Sequence, residues 1–253
     1  MLKKKLLVVA LASSFALPAL ADDLTVSSNV SLVSDYLYRG ISQSGALPAL
    51  QGGFDLSHAS GLYAGVWGSS ISWLSDAGVA NSAGLELDTY AGYKGAAAGL
   101  AYDVGFLRYN YPGSYAAGAT TGDTNEIYGA LSYSIVTAKL SYALGDTFGA
   151  PDAAGTTYAE LNASYAIPDT GISVAGHFGS QTYKGSSAKY TAFIAAGTPS
   201  YTDNKLSVTK DFSGYVAGIA FSSTNASAYY TSVTAQAKKL GKSTAVLSLS
   251  RAF

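Results

Sequence analysis

Apolar and polar positions alternate along most of this chain. Leu85, Leu87, Thr89, Ala91 and Tyr93 interleave with Glu86, Asp88, Tyr90, Gly92 and Lys94. Ala98, Leu100, Tyr102, Val104 and Phe106 do the same with Gly99, Ala101, Asp103, Gly105 and Leu107. The rhythm recurs from Glu126 to Tyr133, Val136 to Leu144, Tyr158 to Tyr165 and Ile172 to Gly179. In each segment charge and small polar groups keep to one face. A period of two marks a strand whose faces meet different surroundings, and no 3.6-residue stripe competes over these windows.

Less regular segments fill out the count. Val26, Val30, Leu32, Tyr36 and Tyr38 share one face of a segment from Val26 to Tyr38, and Leu50, Gly52, Phe54 and Leu56 share a face of the next. Leu62–Ser72, Leu206–Phe212, Tyr215–Phe221 and Ser243–Phe253 complete the set. That makes about twelve strands, an even number, as bacterial single-chain barrels have.

The connections alternate as well. Those at His58–Gly61, Gly95–Ala97, Ser134–Ile135, Pro168–Gly171 and Ser213–Gly214 are short. Those at Gly40–Leu47, Trp73–Ala83, Asn110–Asp123, Asp146–Gly155, Ser180–Thr202 and Thr224–Lys242 are longer, and most are rich in Gly, Ser, Ala and Thr. Short periplasmic turns and long extracellular loops are the habit of outer-membrane barrels, which puts both termini on the periplasmic side.

The N-terminus changes the setting. Lys3, Lys4 and Lys5 precede an apolar run from Leu6 to Leu17, and Ala19-Leu20-Ala21 offers a small-x-small cleavage site. The pattern predicts a signal peptide over 1–21, cut after Ala21, and one domain over 22–253. Removing the three lysines leaves 12 of the 15 basic residues against 16 acidic ones, a formal charge of −4. Without a basic patch, nucleic acid is excluded as a partner. There is no cysteine, hence no disulfide framework and no thiolate metal site.

Composition then settles the class. Only 12% of residues are charged, about half the share of a soluble domain, while Tyr reaches 20 and Gly 28. Beyond the signal no run of eighteen apolar residues exists, so helical membrane spans are excluded. The expected fold is all-β: a transmembrane antiparallel up-and-down β-barrel in the outer membrane, with lipid around it. Monomer is the default, for want of an extra apolar patch.

Several stretches are familiar in their order. SDYLYRGISQ, PALQGGFDLS, GLYAGVWGSSI, ELDTYAGY, YDVGFLRYNYPG, EIYGALSYS and the terminal GKSTAVLSLSRAF resemble the TorF-type family of porin-like bacterial outer-membrane proteins, whose function is largely unassigned. The resemblance implies an outer-membrane channel and no established substrate. The last residue, Phe253, matches the terminal aromatic that the barrel assembly machinery recognises, with Leu249 and Leu247 on its face. Arg251 departs from that pattern.

If the apolar face meets lipid, charge there should stay near the interfaces. Lys210 and Arg251 fall on that register, both at expected periplasmic strand ends where basic side chains can snorkel. The other register carries Asp35, Arg39, Gln51, Asp55, Glu86, Asp88, Lys94, Asp103, Glu126, Lys139, Glu160 and Asp211, which by elimination face the lumen. Either they line a watery passage that favours cations or polar solutes, or they pair and brace the interior. Asp35, Arg39 and Asp55 are expected near the outer mouth, as an ion-pair cluster that fixes the first long loop or as a solute-selecting constriction.

Catalysis has little support. His58 lies in a turn and His177 takes the inward register, facing away from the wall where a barrel-borne lipid hydrolase needs its base. No cofactor, phosphate-loop or metal-site spacing occurs. Tyr36, Trp67, Trp73, Tyr109, Tyr111 and Tyr142 are expected in an interface girdle or in loop packing. Two functions follow: passive diffusion of small polar solutes or ions, or a closed barrel that acts through its outer loops.

Overall fold

The computed structural model describes residues 23–226, 230 and 239–253. The expected signal peptide over 1–21 lies outside the described residues, as does part of the last long connection.

Twelve strands close into one antiparallel barrel. They are β1 (Leu24–Val33), β2 (Ala49–His58), β3 (Leu62–Ser70), β4 (Leu85–Ala97), β5 (Leu100–Asn110) and β6 (Thr124–Tyr133). The second half comprises β7 (Val136–Ala143), β8 (Thr157–Ile167), β9 (Ile172–Thr182), β10 (Tyr201–Phe212), β11 (Tyr215–Thr224) and β12 (Thr244–Ala252). Each strand pairs with its neighbours in sequence. The seam joins β1 to β12 from Asn29↔Ala252 to Val33↔Ser248. Phe253 extends that seam: its amide donates to Ser28 at 2.8 Å and its carbonyl accepts from Ser28 at 3.0 Å. Closure leaves no unpaired strand edge, the condition for a sheet to sit in lipid.

The outer face is apolar around the whole circumference. Leu32, Phe54, Val104, Ile127, Leu140, Leu161, Phe178, Leu206, Ile219 and Leu247 all project into the surroundings, Leu206 with 70% of its surface uncovered. On a water-soluble protein such a belt would promote association; against acyl chains it is the matching surface. Lys210 and Arg251 lie on this face at the short-turn ends. Lys210 donates to the Thr170 carbonyl, and Arg251 stacks over Tyr215 and Phe253 at 4.4 and 5.1 Å. Arg108 is a third outward base, at the opposite rim. It donates to Asn110 at 2.6 Å and lies 3.3 Å from Asp123.

Long and short connections alternate as the sequence predicts, and both described termini fall on the short-turn side. Several boundaries differ, two of them near the first long connection and the second short turn. The turn expected at Gly95–Ala97 falls at Ala98 and Gly99, both with positive φ, because the β4–β5 ladder continues to Ala97↔Leu100. The first strand, expected to reach Tyr38, ends at Val33. Beyond it the chain bends over the barrel mouth, so Tyr36 is buried and Tyr38 partly buried in protein rather than set against lipid.

Candidate functional site

The bend after β1 produces a hairpin at the barrel end that carries the long connections. Leu37–Tyr38 pairs with Ile41–Ser42, joined by Arg39 and Gly40 with φ of +47° and +76°. A two-residue turn with both central φ positive matches the twist of its flanking strands. Gly40 is also required sterically. A Cβ there would lie 2.6 Å from the Cβ of Asp203 in β10 and 3.4 Å from that of Thr224 in β11. The tip therefore rests against the wall formed by β10 and β11.

Arg39 locks the tip in place. Its Nη1 and Nη2 donate to Oε1 and Oε2 of Glu126 at 3.0 and 2.8 Å, and Nη1 also donates to Gln181 Oε1 at 2.8 Å. The guanidinium stacks over Tyr158 at 4.3 Å and Tyr38 at 4.8 Å. Side-chain exposure is 7% for Arg39 and 2% for Glu126. A planar, two-pronged pair of this kind is the strong form of an ion pair, with geometry that fixes both partners.

The rest of the stretch anchors the hairpin base. Asp35 Oδ1 accepts from Ser42 at 2.6 Å and Ser44 at 3.1 Å. Tyr36 donates to Glu86 at 3.2 Å, and the Tyr38 and Tyr109 hydroxyls meet at 2.5 Å. The Gln43 carbonyl accepts from the amides of Ser72 and Trp73 at 2.8 and 3.0 Å, tying the hairpin to the short helix α1 (Trp73–Asp76). Burial pushes the Asp35 carboxyl upward, against the pull of the Ser42 and Ser44 hydroxyls.

Asp35, Arg39 and Asp55 do not form one cluster, so the expected trio is corrected. Arg39 takes its carboxylate from Glu126, across the barrel. Asp55 pairs in register with Ser27 and Gly65, towards the short-turn end, and accepts from Tyr90 at 2.6 Å. The local reason is the bend after Val33, which carries Arg39 over the lumen while Asp55 stays down on the wall.

Below the hairpin the lumen is polar. Tyr63 donates to Asp103 at 2.6 Å and meets the Tyr128 hydroxyl. Tyr63, Tyr90 and Tyr128 lie flat over Gly92, Gly65 and Gly105, where any Cβ would collide with the rings. Lys94 and Lys139 sit over Tyr63 and Tyr128 at 4.3 and 4.4 Å, and Lys94 is 3.9 Å from Asp103. On the opposite wall, His177 Nε2 is 3.0 Å from Asp203 and 2.9 Å from the Tyr158 hydroxyl, while Nδ1 is 2.7 Å from Asn162. Asn162 donates to Glu160 at 2.9 Å. Gln51 donates to Ser69 at 3.3 Å, and Asp211 caps the last short turn at the Gly214 amide, 2.7 Å away.

Two carboxylates stand apart. Glu86 and Asp88, 1% and 7% exposed, hold their Oε2 and Oδ1 without a hydrogen-bond partner. They lie on β4, two residues apart on the inward register, under the side chains of the first loop.

Sequence reasoning missed Gln181, Asp203 and Lys205. The regular alternation runs to Gly179 in β9 and from Leu206 in β10, whereas the two strands pair to Gln181↔Tyr201. Continuing the period of two through Asp203 and Lys205 would have placed both inward. Tyr36, Trp67, Trp73, Tyr109 and Tyr111 pack within the mouth, as loop packing and not as a girdle; Tyr142 alone of that set is exposed outside.

A closed twelve-stranded barrel with an apolar belt, a polar lumen and an inward hairpin defines a membrane-embedded β-barrel of porin-like architecture. The chain belongs to the Gcw_chp family, described as a bacterial protein of unknown function, whose model matches residues 19–253. None of the curated proteins compared with the chain matches it. Among solved structures, the KdgM porin in complex with disordered oligogalacturonate is 7% identical, the likeness covering 90% of this chain and 98% of that one at a TM-score of 0.49. OpdK from Pseudomonas aeruginosa is 12% identical, over 92% of this chain and 67% of that one, at 0.42. OccAB4 of Acinetobacter baumannii is 10% identical, over 92% and 63%, at 0.44.

Proposed function

We propose that this barrel is an outer-membrane channel of the TorF type, through which small polar solutes or ions diffuse passively, with cations preferred. One observation carries the reading: the inward wall below the hairpin carries the partly exposed acids Asp55, Asp103 and Glu160, with the covered carboxylates of Glu86 and Asp88 on the same register. Fixed negative charge in a low-dielectric tube raises the local cation concentration and repels anions. The Arg39 hairpin narrows the outer end, and the residues beneath it form the selective surface. Conduction in a planar bilayer under a salt gradient tests this. The reversal potential should have the sign of cation preference, and a folded barrel that never conducts would remove the reading.

A second reading has its own support. Tyr38, Arg39, Tyr109 and Glu126 fill the mouth as a packed unit, which suits a closed barrel whose loops contact an external partner. Arg39→Ala separates the two. A channel gains or alters conductance when the hairpin is released, whereas a closed barrel stays silent.

A further inference from the structure

Between the hairpin and the surrounding long connections lies a cavity of about 300 Å³. Tyr38, Gln43, Trp73, Phe148, Gln181 and Tyr183 contribute to its lining, and no charged side chain does so among the described residues. Its volume is at the lower end of small-molecule pockets, and its walls are mostly apolar, with seven aromatic side chains and a few polar ones.

Two of the lining side chains carry an unmatched polar atom. Trp73 Nε1 and Gln181 Nε2 are buried and have no hydrogen-bond partner. The amide orientation of Gln181 is fixed, because its Oε1 already accepts from Arg39, which leaves the NH2 side free. The side chain is 2% exposed. Trp73 is equally constrained: its amide is bound to Gln43, and its ring meets Tyr111 edge-on at 5.4 Å. Buried donors are nearly always satisfied, so a pair left open on one cavity marks the place of an acceptor. An indole N–H and an amide NH2 can only donate there; neither can receive a proton from a ligand.

We infer that this cavity binds a small uncharged molecule with an apolar ring and a carbonyl-type oxygen, the ring among the aromatic side chains and the oxygen on Trp73 Nε1 and Gln181 Nε2. A cation gains nothing from two donors. An anion would be drawn to the donors but would leave water for a wall with no cation to balance it. The site belongs to the outer side of the hairpin and holds for a conducting or a silent barrel, so it stands apart from the channel reading.

Benzamide, benzoate and toluene serve as probes, matched in ring and differing in the acceptor and its charge. Calorimetric titration into the detergent-folded full barrel should show saturable benzamide binding, with benzoate and toluene much weaker. The Trp73 indole N–H resonance, observed with 15N-labelled tryptophan, should move downfield on saturation. Trp73→Phe, which keeps the aromatic wall and removes the donor, should weaken benzamide about fivefold, the share of one neutral hydrogen bond. An unmoved indole resonance, equal binding of the three probes, or no saturable binding would each overturn the assignment. The resonance is read on the unaltered chain, so the test survives a variant that fails to fold.

Discussion

Arg39 combines a left-handed backbone, a two-pronged carboxylate, an amide oxygen and aromatic faces on one side chain. Removing it strands the Glu126 carboxylate, and breaking a buried pair typically costs about 3–5 kcal/mol, because the remaining charge is left without compensation. Arg39→Ala should therefore lower the thermal unfolding temperature of the folded barrel, and Arg39→Lys should restore only part of it. Lysine keeps the charge and loses the planar fork. Full recovery by lysine would show that charge alone holds the tip. Asp35 supplies a pH test. A carboxyl that burial pushes up binds its proton more tightly folded than unfolded. Its contribution is present below its ordinary value of 3.8 and is lost as pH rises through the raised one. Asp35→Asn should flatten that slope, gaining on the wild type from pH 3 to pH 7 in equilibrium unfolding. A variant that loses ground over the same range would refute the burial argument.

At the scale of elements, the hairpin is a device separate from the wall. The strand ladder is continuous around the seam without it, and its own ladder has two residue pairs. Gly40 decides whether it seats. An alanine there meets both the steric barrier to positive φ and the Asp203 wall 2.6 Å away. Gly40→Ala should leave the circular-dichroism spectrum of the barrel intact and make the Arg39–Gly40 peptide bond accessible to protease. Continued full protection would mean that the wall yields. This element was only half legible in sequence. The motif RG was visible, as was the inward sense of Arg39. What the period of two could not show is where a strand leaves the sheet, since Tyr36 and Tyr38 keep the same parity after the bend. The ladder itself was legible, because one face of each strand meets lipid and a slip by one residue would reverse every side chain. Gln181 and Asp203 were hidden by strand ends placed too early in the long connection between β9 and β10.

For the whole molecule, belt and lumen pull in opposite directions chemically and are reconciled by closure. The apolar face stays outside, the charged face stays inside, and the outward bases Lys210, Arg251 and Arg108 sit at the rims. Under the hairpin, Glu86 and Asp88 are covered by side chains of the first long connection, a placement that costs free energy while they are charged, since Glu86 Oε2 and Asp88 Oδ1 have no hydrogen-bond partner. Release of the hairpin would return them to water. That cost and the Arg39 lock oppose each other, so the balance between an obstructed and an open mouth lies within reach of single substitutions. Glu86→Gln with Asp88→Asn should raise thermal stability while reducing cation preference. A loss of stability would place the two carboxylates among the groups that hold the barrel together. The most direct test compares single-channel currents of the wild type with those of a chain in which 37–42 is replaced by a Gly-Ser linker. The account predicts small cation-preferring currents for the wild type and larger ones, of the same preference, for the variant. Two folded barrels that both remain silent would contradict it.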